Sequence, residues 1–291
     1  MQEGRIIKAI SGFYYVQNES GIYQCRGRGV FRIQDISPLV GDFVKFESES
    51  PDEGYILEIL ERKNSLVRPP VANIDQVMIV NSVKEPNFST LLLDQFLVLI
   101  ESMDIEPFIL VTKTDLATDE EMEDLKAFQE IYEAVGYSFK LISTKASEQD
   151  LKAYLEDKVS VIAGQSGVGK TSLLNTLNPE LLLQTNEISK SLGRGKHTTR
   201  HVELVQVGNG LIADTPGFST LDFKNIEADE LGDCFPEIRR EAEYCKFRGC
   251  KHYKEPKCAV KEAVENGEIA KIRYEHYVRF LENIQNRKPR Y

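Results

Sequence analysis

The chain of 291 residues has no apolar run of the length that a membrane-spanning helix needs. Such a helix takes about 20 consecutive apolar residues, and the most apolar helical segment, residues 90–103, is interrupted by Asp94 and Gln95. Residues 1–3 lack the basic start of a signal peptide, and no apolar core follows them. Internal repeats and low-complexity segments are missing too. We therefore expect a cytoplasmic protein without a membrane partner.

Basic residues are outnumbered, and the net charge of −10 argues at first against a nucleic-acid partner. The excess of acidic residues is local, however, because residues 71–158 hold 7 Lys/Arg and 18 Asp/Glu, a net charge of −11. Residues 246–261 contain six basic residues and a single acidic one, Glu255. Affinity for RNA depends on such clusters of positive charge rather than on the total. The acidic balance therefore does not exclude RNA.

A phosphate-binding loop is the most informative feature, since residues 164–171 match G-x-x-x-x-G-K-[ST]. Its glycines let backbone N–H groups face phosphate oxygens, Lys170 reaches the β- and γ-phosphates, and Thr171 can ligate Mg²⁺. The apolar run 159–163 reads as a strand, and the helix that follows favours phosphate at its N-terminus. The alternative is an ordinary glycine-rich turn. The predicted nucleotide-binding residues are Gly164, Gln165, Ser166, Gly167, Val168, Gly169, Lys170, Thr171 and Ser172.

A second phosphate motif, D-x-x-G, lies at residues 214–217 after an apolar run. Asp214 can hold Mg²⁺ through water, and the Gly217 N–H can contact the γ-phosphate. The same four residues could also form an ordinary turn. Between the two motifs, residues 193–200 are glycine-rich and basic and are predicted to form a mobile switch loop. One of its threonines, Thr198 or Thr199, is expected to complete the Mg²⁺ shell.

Two motifs upstream of the phosphate-binding loop predict guanine as the base. Residues 112–115 resemble N-K-x-D, with Thr112 in place of Asn. Asp115 can accept hydrogen bonds from guanine N1–H and from the exocyclic amine, a pair that adenine does not offer, so GTP is favoured over ATP. Lys113 can lie along the base. The second motif resembles S-A-K, whose backbone N–H meets guanine O6, and consists of Ser143, Thr144 and Lys145.

The order of these motifs is a circular permutation of the usual GTPase order. In this order, in the sequence VANIDQ at 71–76, and in a Cys/His cluster near the end, the chain resembles the RsgA (YjeQ/YloQ-type) circularly permuted GTPases. The resemblance covers nearly the whole chain. It implies a factor for assembly of the bacterial small ribosomal subunit, which binds GTP or GDP and the 16S-type rRNA. Thr112 departs from the pattern, and we expect somewhat weaker nucleotide binding without loss of specificity.

Three domains are predicted: an N-terminal OB-type β-barrel (1–68), a central α/β P-loop GTPase domain (69–220) and a mainly α zinc-binding domain (221–291). The barrel is predicted from five short strand-like runs: Arg5–Ile10, Tyr14–Gln17, Tyr23–Arg28, Phe43–Glu47 and Tyr55–Ile59. Basic and aromatic residues could form an RNA face there, or the aromatics could fill the barrel: Arg26, Arg28, Arg32, Lys45, Tyr14, Tyr15, Tyr23 and Phe31. The family resemblance favours the RNA face.

A cysteine and histidine cluster predicts one structural zinc ion. Its ligands would be Cys245, Cys250, His252 and Cys258, which suit a closed tetrahedral site. Disulfides are the alternative, but they are rare in the cytoplasm. Cys25 and Cys234 are isolated and read as buried or free thiols. Helical periodicity follows the cluster, and it predicts four core positions: Ile272, Tyr277, Phe280 and Ile284.

Catalysis is assigned to Lys170 and, as a hypothesis, to His197. Many GTPases orient water with a Gln after D-x-x-G, but Phe218 occupies that position here. His197 can act on water if the switch loop closes, or it can merely contact RNA or solvent. Free hydrolysis should be slow until the ribosomal subunit orders the loop. A phosphotransferase and a binding module with a relic site are the rival functions, and we expect a monomer.

Overall fold

A computed structural model describes residues 1–29, 31, 36–67, 69–145, 147, 151–177, 202–218, 223–224 and 226–287, with the backbone alone for residues 214–218. The chain divides into two compact units. The first unit comprises Met1–Met78, Lys145–Ala163 and Gly169–Ser219. The second comprises Ile79–Thr144, Gly164–Val168 and Thr220–Tyr291. No helix in the described part of the chain is both long and apolar enough to cross a membrane.

Five strands of the first unit form the predicted N-terminal barrel. They are β1 (Gln2–Ile10), β2 (Phe13–Asn18), β3 (Gly21–Gly27), β4 (Phe43–Ser50) and β5 (Glu53–Ile59). Their pairings run β1-β2-β3-β5-β4 and return from β4 to β1, and the pair β3–β5 is parallel. The interior is apolar and fully buried, with Ile6, Val16, Cys25, Val44, Phe46 and Ile56. Closure of the ring leaves no barrel strand without two neighbours.

The rest of the first unit carries part of the predicted nucleotide site. A short hairpin, β6 (Ser65–Val67) and β7 (Pro70–Ala72), leads to β8 (Gln76–Ser82), whose second half belongs to the other unit. Strand β11 (Val159–Ala163) is buried throughout and pairs in parallel with β13 (Gly210–Phe218). Strand β12 (Val202–Val207) lies between β13 and barrel strand β1. Helix α3 follows β11 and the phosphate-binding loop along the chain, and it is described over Lys170–Leu177.

Side chains of residues 75–76 join the start of β8 to β11. The Asp75 carboxylate accepts a hydrogen bond from the Val159 N–H at 2.8 Å. The amide of Gln76 donates to the Ser160 hydroxyl at 2.9 Å, and the Gln76 side chain is buried. These contacts fix the strand that ends directly before the phosphate-binding loop.

The second unit contains the strands that precede the base-reading motifs. Strands β9 (Glu106–Thr112) and β10 (Ser138–Leu141) are parallel, and β9 neighbours β8. Helix α1 (Thr90–Glu101) starts at an N-cap, Ser89, and α2 (Asp119–Val135) starts at a capping box formed by Thr118 and Glu121. Parallel strands that alternate with helices bring their carboxyl ends, and therefore both base motifs, to one edge.

In its described C-terminal part the second unit has a 3₁₀ turn, Leu231–Cys234, and three α-helices: α4 (Pro236–Ala242), α5 (Ala259–Glu265) and α6 (Lys271–Gln285). Their apolar core includes Leu231, Phe235, Ile238, Val260 and Phe280, and it continues onto Val98 and Leu99 of α1. Helix α6 confirms the predicted periodicity, since Tyr277, Phe280 and Ile284 are buried. Ile272 is only half-buried, so its assignment to the core is the weaker part of that prediction.

A buried ionic network crosses this core. Arg273 of α6 is 1% exposed and pairs with Asp94 of α1 and with Glu237 of α4, the latter through two hydrogen bonds of 2.7 and 3.1 Å. Asp94 also accepts hydrogen bonds from the Tyr132 hydroxyl at 2.8 Å and lies 2.6 Å from Nδ1 of His276. Burial alone would lower the pKa of Arg273, but both carboxylates raise it well above its ordinary value. The sequence showed Asp94 only as an interruption of an apolar helix.

Candidate nucleotide and metal sites

The loop predicted to read the base begins where β9 ends, and it is called the base-reading loop below. Lys113 adopts a left-handed backbone conformation (φ 61°), and a single 3₁₀ turn, Thr114–Leu116, then presents the exposed Asp115. The Asp115 carboxylate accepts hydrogen bonds from the Thr144 N–H (2.7 Å), the Thr144 hydroxyl (2.7 Å) and the Ser143 hydroxyl (3.0 Å). Chiefly the Thr144 hydroxyl, and then its N–H, lower the pKa of Asp115 to about 2. The structure thus brings together the two motifs predicted to read guanine.

Thr112 connects the base-reading loop to the phosphate-binding loop. Its buried hydroxyl lies 2.9 Å from the Val168 carbonyl and 3.0 Å from the Asn81 carbonyl. Because a hydroxyl carries one hydrogen, it donates to one of these oxygens at a time or divides the bond between them. The hydroxyl therefore ties the loop at Thr112 to the phosphate-binding loop within this unit.

Lys113 adds a second connection between the same two loops. Its ammonium donates hydrogen bonds to the carbonyls of Lys84, Glu85 and Gly167, at 3.0, 2.6 and 3.2 Å. All three N–H donors are thereby satisfied. Lys113 and Thr112 together hold the first half of the phosphate-binding loop at a fixed distance from Asp115.

The phosphate-binding loop leaves β11 through a turn that only glycine can make. Gly164 has a φ of 144°, and a Cβ at this position would lie 2.2 Å from the Val80 carbonyl oxygen. Residues 164–168 belong to the second unit, whereas Gly169 and helix α3 belong to the first. Lys170 opens that helix, and partial burial lowers the pKa of its ammonium. The strand, loop and helix are where the sequence predicted them.

The remaining predicted nucleotide residues have little structural description. The backbone of residues 214–217 continues strand β13, which agrees with a D-x-x-G motif at a strand end. The switch loop at 193–200, with His197, Thr198 and Thr199, lies outside the described residues, as does Arg32 of the barrel. Their roles, including the assignment of Mg²⁺ ligands, stay predictions.

The Cys/His cluster is assembled in the second unit between α4 and α5. The ligand atoms of Cys245, Cys250, His252 and Cys258 all lie within 4.8 Å of one another. The Cys245 and Cys258 sulfurs are 3.8 Å apart, and His252 Nδ1 is 3.5 and 3.4 Å from them. Bonds of 2.3 Å to sulfur and 2.0–2.1 Å to nitrogen give tetrahedral edges of about 3.8 and about 3.6 Å. Cys245, His252 and Cys258 therefore have the spacing of three ligands of a tetrahedral zinc site, and the Cys250 sulfur lies within 4.8 Å of them.

Burial in this loop disfavours free thiolates. The pKa of the Cys258 thiol is raised to about 12, mainly by burial. A bound cation would supply the positive charge that holds such a thiol as a thiolate ligand. The four residues can therefore hold a metal ion, and they leave no open coordination position for a reaction.

Helix α6 and an acidic side chain form hydrogen bonds to the backbone of the loop that contains the Cys/His cluster. The hydroxyls of Tyr274 and Tyr277 donate to the carbonyls of His252 (2.6 Å) and Lys251 (2.7 Å). The Glu255 carboxylate accepts from the N–H groups of Lys251 and Tyr253, both at 3.0 Å. Glu255 was noted in the sequence only as a lone acidic residue, and Tyr277 only as a core position. Their hydrogen bonds to the loop depend on tertiary packing and have no local sequence signal.

The loop that contains the Cys/His cluster also carries a basic and aromatic surface. Lys246, Arg248, Lys254 and Lys257 are exposed, whereas Lys251 is half-buried and pairs with Asp229 at 2.6 Å. Two aromatic side chains are exposed in the same segment, Tyr244 by 74% and Phe247 by 45%. The basic cluster was predicted from the sequence, whereas these two rings were not.

The barrel surface is more mixed than the predicted RNA face. Arg26 and Arg28 are exposed, and the Arg26 guanidinium lies 4.8 Å from the centre of the Phe13 ring. Lys45 instead forms an ion pair with Glu58 at 2.8 Å. The three tyrosines Tyr14, Tyr15 and Tyr23 are half-buried and Phe31 is buried, so aliphatic residues, not these rings, fill most of the interior.

Fold and motif order define a class of protein. Its P-loop follows the base-reading strands along the chain, which is the order of a circularly permuted P-loop GTPase. Family models agree: the RsgA GTPase model matches residues 59–224, and the RsgA N-terminal domain model matches residues 3–56. The chain belongs to the RsgA GTPase family and is a GTP hydrolase.

Individual relatives agree over the full length. The small ribosomal subunit biogenesis GTPase RsgA 2 of Oceanobacillus iheyensis is 63% identical and the RsgA of Bacillus subtilis is 57% identical, each with 100% of both chains covered. Among solved structures, YloQ, a circularly permuted GTPase, has a TM-score of 0.86 at 51% identity and covers 100% of this chain and 97% of its own. YjeQ from Thermotoga maritima has a TM-score of 0.86 at 38% identity, with 99% of both chains covered. The predicted family and fold class are confirmed.

Proposed function

We propose that this protein hydrolyses GTP while bound to the small ribosomal subunit, assists late assembly of that subunit, and is stimulated by it. One observation carries the nucleotide part: Asp115 and the Ser143–Thr144 loop lie together, and Thr112 and Lys113 join them to the phosphate-binding loop. A carboxylate at that position selects guanine, because guanine offers two adjacent N–H donors and adenine does not. The ribosomal part is supported by the names of the full-length relatives.

The phosphate end of the site would consist of Lys170 and of the residues that hold a Mg²⁺ ion. GTPases of this kind use Mg²⁺ to neutralise charge on the β- and γ-phosphates. Thr171, one of Thr198 and Thr199, and Asp214 (through water) would hold the ion. Lys170 would stabilise charge on the phosphates, and its partial burial strengthens that interaction. His197 would position the attacking water once the switch loop closes.

The Cys/His cluster would hold one structural zinc ion. Its three sulfurs and one nitrogen fill all four positions, so the ion would stabilise the loop rather than react. The loop would then present Lys246, Arg248, Tyr244 and Phe247 as a fixed surface. Exposed rings beside basic side chains are suited to stacking on unpaired RNA bases while the cations meet phosphates.

The barrel would supply a second contact with 16S-type rRNA through its exposed arginines, Arg26 and Arg28. In this arrangement residues 1–68 act as an OB-fold RNA-binding domain, residues 69–220 as the GTPase domain and residues 221–291 as the zinc-binding domain. The protein would act as a monomer in the cytoplasm, where ribosomal subunits are assembled.

The test is phosphate release from GTP by the full chain, alone and with purified small ribosomal subunits. We expect slow hydrolysis alone and strong stimulation by small subunits, with large subunits as the matched control and ATP as the control nucleotide. Transfer of phosphate to an acceptor other than water would favour a phosphotransferase. Tight GTP binding without hydrolysis under any condition would favour a binding module. Equal stimulation by both subunits would contradict the proposed partner.

A further inference from the structure

The hydrogen-bonding capacity of Asp115 is largely used by its neighbours. Oδ1 accepts from the Thr144 N–H and from the Ser143 hydroxyl, and Oδ2 accepts from the Thr144 hydroxyl. Each carboxylate oxygen offers about two lone-pair sites. Oδ1 is therefore saturated, and Oδ2 has one site left.

Guanine needs the same sites. Its N1–H and exocyclic amine approach a carboxylate with two parallel donors, one for each oxygen. Thr144 presents two donors as well, its N–H to Oδ1 and its hydroxyl to Oδ2, both at 2.7 Å. In hydrogen-bonding terms Thr144 occupies Asp115 as a guanine base would, and a base cannot pair with Oδ1 until the Thr144 N–H leaves.

We propose that Thr144 is an internal cap that competes with guanine for Asp115 and thereby sets the affinity and exchange rate of guanine nucleotides. The proposal rests on the guanine assignment made above. The capping N–H is the group expected to meet guanine O6, so a single displacement of the 143–144 loop frees the carboxylate and delivers a donor to the base. Opening of the cap and recognition of the base are one event.

The threonine hydroxyl makes this cap different from the S-A-K pattern that the loop resembles. An alanine would offer only its N–H, so the cap would be held by one hydrogen bond fewer and Oδ2 would keep both of its lone-pair sites for the base. The cap also persists across the physiological pH range, because the pKa of Asp115 is lowered to about 2 by the Thr144 hydroxyl and N–H. The apparent nucleotide affinity is the intrinsic affinity multiplied by the fraction of molecules in which Asp115 is uncapped.

The experiment compares the wild-type protein with Thr144→Val, which keeps the branched shape and removes the hydroxyl. Stopped-flow fluorescence with a labelled GDP gives the association rate, the dissociation rate and Kd. We expect Thr144→Val to bind roughly 3- to 10-fold more tightly, with faster association, which is the population shift expected when one charge-assisted hydrogen bond at an exposed site is lost. Thr144→Ser keeps the hydroxyl and should show little of this tightening. Thr144→Ala should also bind GDP more tightly than the wild type, and it replaces the valine variant if that variant is unstable.

The sign of the change decides the outcome. Weaker binding by Thr144→Val would mean that the hydroxyl contacts the base directly, and unchanged binding would mean that the cap has no energetic weight; either result overturns the proposal. Preference of the wild type for GDP over ADP, and its loss in Asp115→Ala, test the guanine site separately. If that preference is absent the proposed function fails, whereas if it is present and Thr144→Val does not tighten binding, only the cap fails.

Discussion

Replacement of Arg273 by methionine should strongly destabilise the helical part of the second unit. The guanidinium is 1% exposed, and it donates two hydrogen bonds to Glu237 and one to Asp94. In Arg273→Met, Asp94 keeps the Tyr132 hydroxyl and His276, but Glu237 loses both bonds and remains buried. An uncompensated buried charge costs about 3–5 kcal/mol, which is about two to three and a half decades in an equilibrium constant.

Hydrogen exchange of the α6 amides measures this loss directly, because their protection reports the free energy of local opening. We expect protection to fall by about 10²- to 10³-fold or more in Arg273→Met. Lys271→Met is the matched control on the same helix, since Lys271 pairs with Glu275 at 3.8 Å but is 81% exposed. Its effect should stay within about 0.5 kcal/mol.

A second substitution adds a further check on Arg273→Met. Without the guanidinium, the buried Glu237 carboxylate is left as an uncompensated charge. Adding Glu237→Gln removes that charge and should therefore recover part of the lost protection. Equal protection loss in Arg273→Met and Lys271→Met would refute the reasoning.

Three further changes test the sites. Asp115→Asn should lower affinity for GDP by at least about tenfold and favour xanthine nucleotides, because the amide reverses the donor pattern. Isothermal titration with guanine and xanthine nucleotides would measure this change, and an unchanged preference for guanine would contradict the assignment of Asp115. Cys250→Ala should lose the one zinc expected per chain and unfold residues 240–260, which metal analysis and circular dichroism would detect; full zinc content in the variant would exclude this ligand. His197→Ala should keep GTP affinity and lose on the order of 10²–10⁴ in subunit-stimulated rate; stimulated turnover equal to the wild type would assign the water to another group.

Local patterns predicted much of this protein because the relevant constraints are local. The Gly164 turn and the four metal-ligand positions are set by short-range backbone geometry, so spacing alone located them. The pair of Arg273 and Asp94 joins residues 179 positions apart, and no local pattern marks either of them as buried and ionic. The cap was missed for another reason. The sequence placed Asp115 and Thr144 in one site, but only loop conformation decides that they bind each other.

The ladder between β1 and β12 has a mechanical consequence. Lys8 pairs in register with Glu203 and Ala9 with Val202, and Lys8 and Glu203 also form an ion pair at 2.9 Å. Strand β12 starts two residues beyond the switch segment 193–200. A displacement of β1 would therefore be transmitted through backbone hydrogen bonds to Val202, the first residue of β12. A ligand bound to the barrel would in this way act on the strand that begins two residues after the predicted switch segment.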